Sequence, residues 1–230
     1  MKHVLNLGFK MSTDIDTLLL QYSAGTLDVP MSILVASYLT LEPEARKKLD
    51  FADNLNASFI DSENPVGMSE DSVHSIMDML DNDTVVELVA EEPEPADEIV
   101  SCSDIDLPLP LRRALSSDVD DLKWSFSYPG VKSSKIRAAE SSSDIRLLKI
   151  KPGKSAPRHA HEGIEATLVL RGAFIDGGEV YSRGDLAIAD GKVEHRPKAV
   201  GDEVCLCLAV TSGSLKFKDR FGRVLKDFIS

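Results

Sequence analysis

Three of the five histidines of this 230-residue chain, His159, His161 and His195, fall in a short region that also carries Glu165. In an extended strand, residues two apart point to one face with roughly 7 Å between their Cα atoms, so His159 and His161 form a chelating pair. Glu165 follows at an interval that lets a turn return its carboxylate to the same side, and His195 arrives on a later strand after Gly184-Asp185. Neutral imidazole nitrogens and a carboxylate oxygen, each about 2.0–2.1 Å from an ion, suit zinc and also iron, nickel or manganese. One lone histidine reads most simply as a surface or satisfied core group. Four such residues together point to one divalent metal, with zinc first among the candidates. Because an imidazole must be neutral to ligate, affinity is expected to fall as pH drops through roughly 6–6.5.

Four converging ligands need a stiff frame. Beyond Leu122, short apolar and β-branched runs alternate with turn signals at 131–137, 145–150, 165–170, 179–181, 186–189 and 204–210. That spacing predicts an antiparallel sandwich or barrel. Trp124 and Phe126 alternate in a first strand and read as barrel packing. Cys205 and Cys207 are two apart in an apolar strand and share one face. They are either small core residues or, where that face lines the barrel, a redox or ligand pair.

The first part of the chain reads as helical. Thr13 can cap a helix with Ile15, Leu18, Leu19 and Tyr22 on one face and Gly25 near its end. Pro30 fits the first turn of a second helix reaching Leu41, with Ile33, Leu34, Ala36 and Leu39 at helical spacing. Glu42-Pro43-Glu44 opens a third helix that runs through Leu49 towards Asn54. Ser69 and Ser72, followed by Val73, Ile76, Met77 and Leu80, mark a fourth, with His74 on its surface. Between 91 and 110 the run Glu-Glu-Pro-Glu-Pro-Ala-Asp-Glu and the later Asp-Leu-Pro-Leu-Pro predict an extended linker.

Charge divides the chain in the same way. The net charge is -12, yet residues 1–106 hold 22 acidic and 5 basic side chains whereas the remainder carries a basic excess. Non-specific nucleic-acid affinity needs clustered Lys and Arg, so direct binding to nucleic acid is not expected. An acidic lobe suits a basic protein partner through complementary fields, or it is a solvated surface. No run approaches the roughly 20 apolar residues that span a bilayer, so no membrane partner is expected. The N-terminal stretch is too short for a secretory signal, and Cys102, Cys205 and Cys207 make an odd count without a disulfide framework. A cytoplasmic address is expected.

The stretch from Gly153 reads Gly, five residues, His-x-His, three residues, Glu, six residues, Gly172, which matches the first cupin motif throughout. Gly178 to His195 resembles a loosened second motif. The resemblance implies a jelly-roll β-barrel in which His159, His161, Glu165 and His195 are metal ligands. More closely, Glu-Ala-Thr-Leu-Val-Leu-Arg-Gly-Ala-Phe at 165–174, Gly184-Asp185 and Val-Glu-His-Arg-Pro at 193–197 are similar to the C-terminal lobe of ChrR-type anti-sigma factors. Leu-Leu-Leu-Gln-Tyr-Ser-Ala-Gly-Thr-Leu at 18–27 and Leu-Val-Ala-Ser-Tyr-Leu-Thr-Leu at 34–41 resemble that family's helical anti-sigma domain.

What the resemblance implies is an α+β chain in two domains: a small helical bundle at 1–90, the acidic linker at 91–110 and a cupin metal-binding domain at 111–230. The helical lobe is then expected to bind and inhibit an extracytoplasmic-function (ECF) sigma factor. The cupin lobe is expected to sense an oxidant or ligand through its metal, as in oxidative stress. A homodimer is the expected self-association. The family's anti-sigma lobe places a zinc on an early His and on His-x3-Cys-x2-Cys. The matching positions here are Tyr38, Glu42 and Ala45, the early His position falls near Thr13 or Asp14, and His3 lies well upstream. No zinc is therefore expected in the first lobe, and Leu18, Tyr22, Leu34 and Leu39 are expected to hold it by apolar packing. Two alternatives stay open. One is a metal-dependent cupin dioxygenase or related enzyme, for which Arg158, Glu162 and Arg171 are the nearby polar groups, since cupins host both kinds of work. The other is a relative that no longer inhibits a sigma factor and binds something else.

Overall fold

A computed structural model describes residues 14–67, 69–82, 107–115, 119, 121–138, 141, 143–191, 194–213 and 215–217. His3, Thr13, Cys102 and most of the expected linker lie outside them. Two compact units divide the chain, Met1–Asn56 with Ile105–Ser230, and Ala57–Asp104.

Local chemistry explains the helices. Asp14 caps α1 (Ile15–Ser23), its side chain accepting a hydrogen bond from the Thr17 backbone N–H at 2.8 Å. Asp28 caps α2 (Val29–Leu41) in the same way, accepting from Met31 N–H, and Pro30 sits in the first turn as expected. α2 buries Met31, Leu34, Val35, Tyr38 and Leu39, whose i, i+3, i+4, i+7, i+8 spacing places them on one face of the helix. α3 (Pro43–Ser62) is longer than expected. The spacing predicts a helix running towards Asn54, but the Asn54 side-chain amide donates to the Asp50 carbonyl within the helix, and Asn56 donates to Ser23 Oγ at 2.8 Å. Both polar groups thus find partners that let the helix continue. α4 (Glu70–Asn82) begins where Ser69 Oγ accepts from Ser72 N–H, and its His74 is exposed. α5 (Leu109–Ala114) starts within the last residues of the expected linker, and Leu107 and Leu111 around it are buried.

Eleven strands follow among the described residues: β1 (Ser125–Tyr128), β2 (Val131–Lys135), β3 (Ser143–Ile150), β4 (His159–His161), β5 (Glu165–Arg171), β6 (Ala173–Asp176), β7 (Glu179–Ser182), β8 (Leu186–Ala189), β9 (Lys198–Val200), β10 (Cys205–Ser212) and β11 (Leu215–Phe217). They form three antiparallel sheets in the orders β1-β2-β3-β10-β5-β8, β7-β6-β9 and β11-β4. The expected antiparallel architecture is the one observed. Phe126 departs from its expected packing role: it is 57% exposed, while Trp124 is partly buried and donates its indole N–H to the Val119 carbonyl.

The inner strands β5 and β10 of the six-stranded sheet are buried on both faces, and the period-2 alternation along the sheet sorts two cores. Ile145, Leu147, Ala166, Leu168, Leu170, Leu206, Leu208 and Val210 join Leu18, Leu34, Val35 and Leu39 of the helices in one apolar cluster. Val131, Ile150, Val169, Cys205 and Cys207 join Phe174 and Ala199 in the other. α2 therefore packs directly on β3, β5 and β10. The expected core residues Leu18, Leu34 and Leu39 are buried, and Tyr22 packs against them partly buried.

Asp28 ties this arrangement together, because its second carboxylate oxygen accepts from Ser141 Oγ at 2.7 Å, 113 positions along the chain. Burial alone would raise its pKa, but hydrogen bonds from Ser143, Ser141 and the Met31 backbone outweigh that and lower it. The Asp28→Ala variant should lose about 1–2 kcal/mol in denaturant titration near neutral pH, the upper range for a lost cap. A depressed carboxylate pKa stabilises above its unfolded value and that contribution disappears as pH falls through the folded one, so wild type and variant should converge in acid. Equal midpoints at neutral pH would remove this role.

Candidate functional site

The ligands predicted from spacing converge. β4 presents His159 and His161 on one face, and His195 is laid beside them by a pair of backbone hydrogen bonds between His159 and His195 at 3.2 and 3.1 Å. Glu165 opens β5 after the turn 162–164. That turn is packed tightly on β10: Ile164 N–H donates to Ser212 Oγ and Ser212 N–H to the Ile164 carbonyl, both at 2.9 Å. A Cβ at Gly163 would stand 1.9 Å from the Ser212 carbonyl oxygen, so only glycine lets the chain turn there and bring Glu165 back to the histidines.

Glu165 Oε2 lies 3.1 Å from His161 Nε2, 3.1 Å from His195 Nε2 and 3.7 Å from His159 Nε2. The His161 and His195 Nε2 atoms are 2.9 Å apart, and the four ligand atoms all lie within 4.8 Å of one another. Two imidazole nitrogens cannot face each other this closely with both lone pairs free; a proton or a cation must lie between them. An ion about 2.0–2.1 Å from each donor would separate neighbouring donors by roughly 3 Å, which is the spacing found. The remaining ring nitrogens complete the fit. His159 Nδ1 is 2.7 Å from the Pro157 carbonyl and His195 Nδ1 is 2.7 Å from Asp176 Oδ2, which leaves each Nε2 as the ligating atom. His159, His161, Glu165 and His195 could therefore hold a metal ion.

Electrostatics agree. Burial would raise the Glu165 carboxyl, but the three facing imidazoles outweigh it and hold the group well below its ordinary value, so it is a carboxylate. For His195, burial favours the neutral ring, yet hydrogen bonds to Asp176 and Glu165 win and push the pKa up to about 9. Without an ion, then, His195 carries a proton near neutral pH. Proton competition should begin higher than the 6–6.5 expected for an ordinary histidine, because two carboxylates stabilise this imidazolium. Metal affinity should weaken as pH falls below about 9, by up to tenfold per unit from this one proton. Calorimetry in buffers of different ionisation enthalpy counts the proton released on loading; no release near neutral pH would contradict the assignment.

Asp176 is a residue that spacing did not reveal. Its signal was indirect, the Gly177-Gly178 pair behind it. Other candidates separate plainly. Cys205 and Cys207 share the face expected of them, with Sγ atoms 3.4 Å apart in the apolar cluster inside the sheet. The hydrogen bond from Cys205 and burial push the Cys207 thiol well up, which favours the packing role. Arg158 pairs with Glu194 at 3.2 Å, and Arg171 approaches Glu203 at 3.8 Å. Tyr38 and Ala45 are buried, and with Glu42 they line a cleft of about 370 Å³.

A second concavity lies along α1 and α3. Leu19, Leu20, Phe51, Ala52 and Leu55 line a groove of about 610 Å³ whose rim carries Lys47 and Lys48, paired with Glu44 and Asp16. Phe51 is 72% exposed and Leu20 and Leu55 are each 38% exposed, an apolar strip along the groove.

The family described as the ChrR Cupin-like domain matches residues 112–215. The anti-sigma-E factor ChrR of Cereibacter sphaeroides is 34% identical over 213 residues, spanning 93% of this chain and 95% of that protein. A crystal structure of Rhodobacter sphaeroides SigE in complex with the anti-sigma ChrR contains a chain that is 33% identical to this one. It superposes with a TM-score of 0.68, over 85% of this chain and 96% of that one.

Proposed function

This chain belongs to the ChrR family of anti-sigma factors, and on that footing we propose that it binds and inhibits an ECF sigma factor through its helices and senses an oxidant or ligand through a metal held in its cupin lobe. The observation that carries the reading is the pairing of a buried three-histidine, one-glutamate centre with an exposed apolar groove on α1 and α3, in a chain similar along nearly its full length to a protein named an anti-sigma factor. In functional terms residues 1–90 bind, 111–230 sense and 91–110 connect them. The groove suits an amphipathic helix of the sigma factor, whose apolar face would cover Leu20, Phe51 and Leu55 while its polar flanks meet the charged rim. Occupying a sigma factor in this way keeps it from RNA polymerase.

The ion is zinc. Imidazole and carboxylate donors without a thiolate accept several metals, and zinc, which is redox-inert, would be held by His159, His161, Glu165 and His195. The sensing step reaches the helices through β5. Glu165 points to the centre, while Ala166 and Leu168, on the opposite face of the same strand, lie in the core that α2 shares. A change at the centre that shifts β5 is therefore felt by α2. The chain works in the cytoplasm, where sigma factors act. In agreement, no helix among the described residues is long and apolar enough to cross a membrane.

The test is to purify the tagged full-length chain from its native cells under reducing and oxidising conditions. Mass spectrometry should find an ECF sigma factor under the first and less of it under the second. Elemental analysis of the same sample should return one zinc per chain, and light scattering reads the expected homodimer. No sigma factor under either condition would overturn the regulatory reading. Iron with oxygen consumption would instead favour the dioxygenase.

A further inference from the structure

We propose that Asp176 is the positioning residue of this centre: its carboxylate fixes the His195 ring so that Nε2 faces the ion and, with Glu165, matches the charge of a divalent cation. The inference rests on the metal reading above and goes beyond the four ligands. Its first support is geometric. His195 Nδ1 lies 2.7 Å from Asp176 Oδ2, and the opposite ring nitrogen stands 3.1 Å from Glu165 Oε2 and 2.9 Å from His161 Nε2. A ring pinned at one nitrogen by an acceptor must offer the other as its lone pair, so this contact sets both tautomer and aim.

The three imidazoles are not anchored alike. His159 is held by a backbone carbonyl, and His161 Nδ1 is buried without a partner among the described residues. The His195 ring rests its Nδ1 on a second carboxylate, that of Asp176. His195 is also the ligand most distant in sequence, on a connecting segment rather than inside a long strand. Its direction therefore depends most on a side-chain anchor.

The chain places that anchor by a short device. β6 and β7 are joined by Gly177 and Gly178, with φ of 58° and 93°, the left-handed values that a two-residue hairpin turn demands of both central positions. Asp176 and Glu179 flank this turn as a pair. On its other side β6 pairs with β9, so that Ile175 stands opposite Lys198, three residues after His195. The hairpin thus delivers Asp176 to the segment that carries the ligand.

Charge supplies the second support. An ion taken out of water needs compensating charge nearby. Glu165 and Asp176, with side chains only 11% and 19% exposed, supply two negative charges, which balance a divalent ion and leave a trivalent one uncompensated.

Cobalt(II), a spectroscopically visible stand-in for zinc, tests the proposal on the full chain. Its affinity is measured by competition with a chromophoric chelator and its environment by visible absorption, for wild type, Asp176→Ala and Asp176→Asn. The alanine variant should bind about 10–100-fold more weakly with an altered spectrum. The asparagine variant keeps an oxygen acceptor, loses the charge, and should recover part of the affinity and most of the spectrum. Melting of the metal-free proteins separates a structural role, which would lower metal-free stability and leave affinity and spectrum alone. That outcome, or wild-type affinity in Asp176→Ala, would overturn the proposal with the metal reading intact. Wild type taking up no cobalt would overturn both.

Discussion

The His161→Ala variant should purify with less than a tenth of the metal that wild type carries. The His161 side chain is fully buried, 3.1 Å from the Glu165 carboxylate and 2.9 Å from His195 Nε2. Removing it leaves three donors and a cavity in their midst. Loss of an outer partner alone weakens metal sites by about 10–100-fold, so loss of a ligand should exceed that range. The same change exposes the stabilisation that the ion supplies. A ligand present at about a thousand times its dissociation constant stabilises the fold by about 4 kcal/mol. Wild type stripped by a chelator should therefore melt lower than loaded wild type, while His161→Ala should melt at one temperature with or without added zinc. Full occupancy in the variant, read by elemental analysis, would remove the four-residue centre and the sensing proposal with it.

Paired replacement of Phe51 and Leu55 by aspartate should abolish sigma-factor capture while sparing the fold. Both side chains line the groove, and Phe51 is so exposed that placing a carboxylate there costs the folded chain little. Buried aromatic and aliphatic anchors at interface centres contribute about 2 kcal/mol or more each, so two should lower affinity by more than about 100-fold. Thermal melting and zinc content should match wild type. Undiminished co-purification with the sigma factor would move the binding surface away from this groove and leave the metal centre untouched. The two experiments thus fail independently, one reading the sensor and the other the partner surface.

The motif around Glu165 was legible because its chemistry is local. His159 and His161 share a face by strand geometry alone, and Gly163 and Glu165 lie within one turn of them. His195 was legible as a third histidine on a later strand, but 33 residues separate it from His161 and no spacing rule sets its direction. The helices were likewise readable from periodicity and from Pro30, whereas the capping residues Asp14 and Asp28 and the end of α3 were not. Asn54 and Asn56 look like stop signals until their amides find Asp50 and Ser23.

By itself the sequence determined the ligand types, the antiparallel strands, the helical first part and the acid-rich character of residues 1–106. Each of these follows from side-chain chemistry and from spacing within one element. Tertiary structure alone decided that Asp176 stands behind His195, that Phe126 is exposed, and that α2 lies on the sheet whose other face carries Glu165. The reason is physical. A strand buried on both faces shows no alternation of polar and apolar residues, so β5 and β10 declare that they are covered without saying by what. Which surface covers each face is settled only when the whole chain closes around its two cores.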